Sequence, residues 1–210
     1  MSIFGKDLGY SEKVIEHFEH PRNLGTIEDA DASAKVGSAI CGDIVKYFIK
    51  VDKTENRIKD IKFKSYGCAS NIAASSILTE MVKGKTLEEA KQINFKDVEH
   101  ELGGLPVVKA HCAVLSTQAL RVAIAKYEAK HGMRKINEGF CRTLLQGVMD
   151  PITGENILEE GKVDDINVAE GTVTISLSVS KAAESAEIIE KDIKEAFKDV
   201  DLHVDVTFKK

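Results

Sequence analysis

Two stretches, DIVKYFIKVD (43–52) and IKDIKFKSYG (58–67), flank the polar KTENR (53–57). Both are rich in β-branched and aromatic residues, and a short polar join between such stretches predicts an antiparallel hairpin. A two-stranded hairpin is marginal in water unless it packs one face against something. The flanking segments supply the cover. SNIAASSILTEMVKG (70–84) reads as a helix closed by Gly84. TLEEAKQI (86–93) carries a capping box, Thr86 with Glu89. From about residue 110 to 131 runs a long helix with Leu115, Ala119, Val122 and Ile124 at core spacing and Gly132 as its stop. Ahead of the hairpin, SEKVIEHFEHP (11–21) predicts a helix with Ser11 as N-cap, Val14, Ile15 and Phe18 on one face, and Pro21 beyond its end.

The chain divides near residue 132, where HGMRKINEG (131–139) is polar enough to be a linker. After it come a helix with Phe140, Leu144, Leu145 and Val148 on one face and the turn-like DPITGEN (150–156). KVDDINVAEGTVTISLSVS (162–180) predicts two strands, the second alternating Val173, Ile175, Leu177 and Val179. AESAEIIEKDIKEAF (183–197) is an amphipathic helix and LHVDVTF (202–208) a last strand. The expected class is therefore α+β twice over. Residues 1–132 form an antiparallel sheet packed with helices, and residues 138–210 a smaller αββαβ unit.

Composition excludes several classes. A formal charge of −5 argues against a nucleic-acid or anionic-membrane partner, either of which favours a basic face. No run approaches the roughly 20 apolar residues of a membrane span. MSIFGKDLGY at the start lacks the apolar core of a signal peptide. Four widely spaced cysteines with no export signal point to the reducing cytoplasm, where thiols bind metal or react more often than they pair.

Three of those cysteines stand where backbone turns expose a side chain. Cys41 lies in SAICGD and Cys68 in YGCAS, each beside a glycine. Cys112 lies in AHC at a helix entrance, with His111 before it, and unpaired N–H groups at such an entrance favour a thiolate. Asp43, two residues after Cys41, points the same way as that cysteine if the chain is extended there. A lone cysteine is ordinarily a small buried hydrophobe. Three in such settings, with an adjacent imidazole, indicate a thiolate-rich site for zinc or an iron–sulfur centre. The spacing fits no compact paired-cysteine zinc finger.

YSEKVIEHFEHPRNLG (10–25), CGDIVKYFIKV (41–51), IKFKSYGCASNIAASSILTEMVKGKTLEEA (61–90) and LPVVKAHCAVLSTQALRVAIAKY (105–127) closely resemble the IscU family of iron–sulfur scaffolds, or the N-terminal part of NifU. The likeness covers roughly residues 8 to 130. It implies a cluster site of Cys41, Asp43, Cys68, His111 and Cys112, with Cys112 as persulfide acceptor. The cargo it implies is a transient [2Fe–2S] cluster, with Zn2+ as another occupant of the same ligands. The implied partners are a cysteine desulfurase, an iron or electron donor such as ferredoxin, and apo-protein acceptors. Leu105, Pro106, Val107, Val108 and Lys109 match the family's heat-shock chaperone motif, except that Val107 stands where the family has a second proline. That loss loosens an extended segment.

The tail LLQGVMDPITGENILEEGKVDDINVAEGTVTISLSVS (144–180) resembles the small domain of SufT and of some Mrp-type ATPases, with Asp150 and Pro151 matching its DP turn. A cysteine frequent in that family after the second strand is replaced by SKAAES (180–185). The tail's Cys141 is expected in the core beside Phe140. The resemblance therefore implies a scaffold and not a turnover enzyme. The alternative is a zinc-containing, SufU-like persulfide relay, although the 43 residues between Cys68 and Cys112 leave little room for the insertion usual in those relatives. A purely structural zinc module leaves His111 and Asp43 without a role.

Overall fold

A computed structural model of the chain describes residues 9–38 and 42–209. The expected hairpin is two-thirds of an antiparallel meander, β1 (Ala32–Ser38), β2 (Asp43–Asp52) and β3 (Arg57–Tyr66), with β2 central. Side chains alternate along β2, so Val45, Tyr47, Ile49 and Val51 form one buried row. Asp43 heads that same row and is also buried.

Helices α2 (Ala69–Val82) and α5 (Ala110–Lys130) cover this face. The Tyr47 hydroxyl meets Ser116 Oγ of α5 at 2.5 Å, which ties the strand to the helix through the core. Outside them, α1 (Glu12–Glu19) lies on α2, while α3 (Leu87–Gln92) and α4 (Phe95–Glu101) flank α5. The punctuation follows the sequence. Gly84 takes φ +81° after α2, and the Thr86–Glu89 capping box opens α3. At the end of α5, Gly132 at φ +67° donates to the Ala129 carbonyl while Met133 donates to that of Glu128, a Schellman closure. Among the described residues, the stretch ending with α5 has the length and apolar composition of a membrane span. Here it is the core helix, with Ala113, Leu120 and Ile124 buried.

One local expectation is corrected, and two elements are added. In α1 the buried pair is Val14 and His17, while Phe18 is 44% exposed. The His17 ring is held by Ser76 Oγ of α2 at 2.8 Å, so a hydrogen bond fixes the face that apolarity alone assigned to Phe18. β1 went unpredicted because ASAKVGS has a single β-branched residue; its pairing with β2 makes it a strand. α4 went unpredicted because its box uses Asn94 and Asp97 in place of the usual Ser/Thr and Glu/Gln.

The remainder follows the predicted αββαβ order: α6 (Glu138–Leu145), β4 (Val163–Ala169), β5 (Thr172–Ser180), α7 (Ala186–Phe197) and β6 (His203–Lys209). β4 and β5 are antiparallel, and α7 carries the chain across so that β6 runs parallel to β5. Val173, Ile175 and Leu177 are buried together with Ile189, Ile193 and Phe197 of α7 and Phe140, Leu144 and Leu145 of α6. Cys141 lies in that core as expected, and burial pushes its thiol up to about 11. Asp150 of the DP turn is buried, accepts from the Ile152 N–H at 2.7 Å and pairs with Lys162 at 2.6 Å.

This second unit is docked on the first. Lys126 of α5 is buried, and its ammonium donates to the carbonyl of Lys198, the C-cap residue of α7, at 3.1 Å. A cation there meets the negative end of the helix dipole. Gly147 passes so close to β1 that a Cβ on it would stand 2.9 Å from the Lys35 carbonyl oxygen. Gly147→Val is expected to lower the unfolding free energy by about 1–3 kcal/mol through that clash. Urea denaturation followed by circular dichroism measures it; an unchanged midpoint would mean the contact gives way freely.

Candidate metal centre

Three elements deliver four donor side chains to one place. Asp43 is the first residue of β2, and strand alternation points its carboxylate to the helix side. Cys68 is the N-cap of α2, and His111 and Cys112 lie in the first turn of α5. Cys68 Sγ is 3.5 Å from Cys112 Sγ and 3.4 Å from Asp43 Oδ2, and Cys112 Sγ is 3.6 Å from the same oxygen. The donor atoms of Asp43, His111 and Cys112 lie within 4.8 Å of one another. Asp43 and Cys112 are buried, Cys68 is half-buried and His111 is exposed, so the group has a closed floor and one open side. Cys41, the remaining expected ligand, lies outside the described residues.

The spacings suit a metal. A tetrahedral centre with metal–sulfur bonds of about 2.3 Å and metal–oxygen bonds of about 2.1 Å has S···S edges near 3.8 Å and S···O edges near 3.6 Å. The contacts between Cys68, Cys112 and Asp43 are within a few tenths of an ångström of those edges. A soft metal or its sulfide would find two thiolates here, one hard carboxylate and one imidazole.

Local backbone explains how the carboxylate is held. Asp43 Oδ1 accepts the Cys68 N–H at 3.0 Å. Gly67 makes room for it, since a Cβ there would lie 2.7 Å from Asp43 Oδ1. The sequence signal for Gly67 was its place directly before Cys68, but its contact with a residue 24 positions earlier was not visible there. Two further polar groups sit in the same turn. Ser70 Oγ and Asn71 Nδ2 are buried and have no hydrogen-bond partner among the described residues.

The two thiols are unequal. A hydrogen bond from Cys112 holds the Cys68 thiol down at about 6, against burial and the Asp43 charge. The Asn71 N–H at the entrance of α2 assists, as helix N-termini do for thiolates. Cys112 moves the other way. Donating to Cys68, and burial, push its thiol up. Within the pair the proton is favoured on Cys112, first because it donates to Cys68 and then because it is the more buried of the two. Lys109 stands by, raised chiefly by the charge on Cys68. Its part as a local cation was missed in the sequence, where it was read only as the end of LPVVK.

In that segment Val107 and Val108 are 92% and 75% exposed, and Leu105 and Pro106 are half-buried. The expected extended stretch is a 3-10 turn over Val107–Lys109, closed by the Lys109 N–H on the Pro106 carbonyl at 2.7 Å. The turn leads straight into α5 and sets His111 and Cys112 at the helix entrance.

Residues 9–134 match the NifU-like N terminal domain family, and residues 141–208 match the family described as iron-sulfur cluster assembly protein. The "Iron-sulfur cluster assembly scaffold protein IscU 1" of Archaeoglobus fulgidus is 53% identical over 157 residues, 74% of this chain and 95% of its own length. The "Iron-sulfur cluster assembly scaffold protein IscU" of Escherichia coli K12 is 49% identical over 126 residues, 59% of this chain and 97% of its own. The crystal structure of the N-terminal part of a nitrogen-fixing NifU-like protein from Brucella abortus superposes with a TM-score of 0.46 at 21% identity, covering 56% of this chain and 93% of that one.

Alkylation of Cys68 by iodoacetamide, read by peptide mass spectrometry in metal-free protein, is expected to rise with pH around a midpoint near 6. In Cys112→Ala the midpoint should move up toward the ordinary thiol value of about 8.5, because the donor that stabilises the thiolate is gone. A midpoint that stays put would place the charge stabilisation elsewhere.

Proposed function

Because the chain belongs to the NifU-like N-terminal domain family and carries an iron–sulfur cluster assembly unit behind it, we propose that it is a scaffold. On it a labile [2Fe–2S] cluster is built from iron and desulfurase-derived sulfur, then passed to apo-proteins. The observation that carries this reading is the gathering of Asp43, Cys68 and Cys112 from three elements at metal-coordination spacings. The proposed ligands are Cys41, Cys68 and Cys112, with Asp43 and His111 completing the set. A resident electron-transfer centre is held by thiolates. A set that mixes in a hard carboxylate and an exposed imidazole suits cargo that has to leave.

Each residue has a distinct task in this reading. Cys68, ionised and half-exposed, is the thiolate that meets incoming sulfur first. It attacks the terminal sulfur of a desulfurase persulfide and releases the desulfurase thiolate, which moves the persulfide role from Cys112 to Cys68. Cys112 then joins as a ligand once its proton leaves. Lys109 offsets the negative charge that accumulates. An electron donor such as ferredoxin would reduce the sulfane sulfur to sulfide. Val107 and Val108 offer apolar contact to a docking partner, and a heat-shock chaperone is the candidate. The free thiols Cys68, Cys112 and Cys141 agree with a reducing cytoplasm. We take residues 1–132 as the scaffold unit and 138–210 as an accessory unit.

Anaerobic incubation with ferrous iron, cysteine and a cysteine desulfurase, followed by visible absorption and Mössbauer spectroscopy, tests this. Wild-type chain is expected to develop a [2Fe–2S] spectrum, and Cys41→Ser, Cys68→Ser and Cys112→Ser to lose it. Normal cluster yield in all three variants would sink the scaffold. Bound zinc with sulfur transfer and no chromophore would favour the SufU-like relay. Asp43→Ala is expected to assemble a cluster but hand it to apo-ferredoxin more slowly. It should also lose about 1 kcal/mol of stability, because the Cys68 N–H loses its acceptor.

A further inference from the structure

Asn71 occupies the third position of α2, fully buried directly behind Cys68. Its Oδ1 accepts from Ser65 Oγ at 3.0 Å, and Ser75 Oγ stands at 3.5 Å. Its Nδ2, with two N–H donors, has no partner among the described residues. A buried donor left unmade is costly and calls for an explanation. The geometry around Gly67 offers one. A Cβ built on Gly67 would lie 2.7 Å from Asp43 Oδ1 and 3.2 Å from Asn71 Cβ, so the carboxylate and the amide side chain crowd the same point.

We propose that Asn71 is the positioning residue for Asp43 when metal is bound, its side-chain amide donating to the Asp43 carboxylate. This rests on the metal-site reading given above. Asp43 accepts the Cys68 N–H at Oδ1, and the two sulfurs approach Oδ2. Metal binding removes thiol protons, since ligating cysteines are thiolates. The carboxylate then loses any S–H donor: Oδ2 is left to face the metal, and Oδ1 keeps only the Cys68 N–H. The two N–H groups of Asn71 are the buried donors at hand to replace them. Outer partners of this kind set ligand orientation, and their loss typically weakens metal binding by 10–100-fold.

The test uses the full chain, cobalt(II) as probe, and thiolate-to-cobalt charge-transfer absorption as readout under anaerobic conditions. Asn71→Ala and Asn71→Leu are each expected to weaken cobalt binding about tenfold. Melting temperatures of the metal-free variants should stay within about 4 °C of wild type. In an Asp43→Ala background the Asn71 substitutions should cost no further affinity, because the residue they act through is gone. Wild-type cobalt affinity in both Asn71 variants would overturn the proposal. So would losses that add fully to that of Asp43→Ala, or unfolding of both variants, which would leave Asn71 a packing residue only. Absence of any thiolate-to-cobalt band in the wild-type chain would overturn the metal-site reading and the proposal together, whereas failure in the variants alone leaves that reading standing.

Discussion

A carboxylate at the head of a buried strand row organises this end of the molecule. The alternation that sends Val45, Tyr47 and Ile49 into the core sends Asp43 there too. A buried charge is expensive unless donors surround it. Its neighbours read as the answer to that constraint. The Cys68 N–H is aimed at Asp43, Gly67 has no side chain to displace it, and Cys112 keeps its proton beside it. Residues at the entrances of both α2 and α5 approach its oxygen atoms.

The same constraint bears on how the two thiols are charged. The carboxylate repels the thiolates that a soft metal needs, while the N–H of Asn71 at the α2 entrance and the Lys109 cation attract them. These effects act in opposite directions. The hydrogen bond between the two sulfurs lowers the Cys68 thiol and raises that of Cys112.

Much of this was legible in the chain, and the exceptions are physical. The hairpin, the glycine closures of α2 and α5, the box at Thr86 and the whole αββαβ order are local signals, and they held. β1 was not legible because its strand character comes from its partner. The buried face of α1 was misassigned because His17 is satisfied by Ser76, some 59 residues away. At the site, Asp43, Cys68, His111 and Cys112 could be named from residue type and resemblance, and the structure brings these four together. How the two thiols differ could not be read, since that depends first on the hydrogen bond between them and then on their burial. Gly67 was flagged only by its place before Cys68, because its close approach to Asp43 is a contact across 24 positions.

The Lys126 contact bears on how such a two-part chain can change over generations. The boundary between the units looks like a flexible tether on paper, yet the joint is an ammonium plugged into the end of a helix belonging to the other unit. Exchanging the tail for an unrelated module would strand that lysine on the scaffold's central helix. The reverse graft would leave the α7 carbonyl uncapped. The two halves are therefore not interchangeable parts. They are fitted to one another at this point, and a replaced tail would have to offer Lys126 another acceptor.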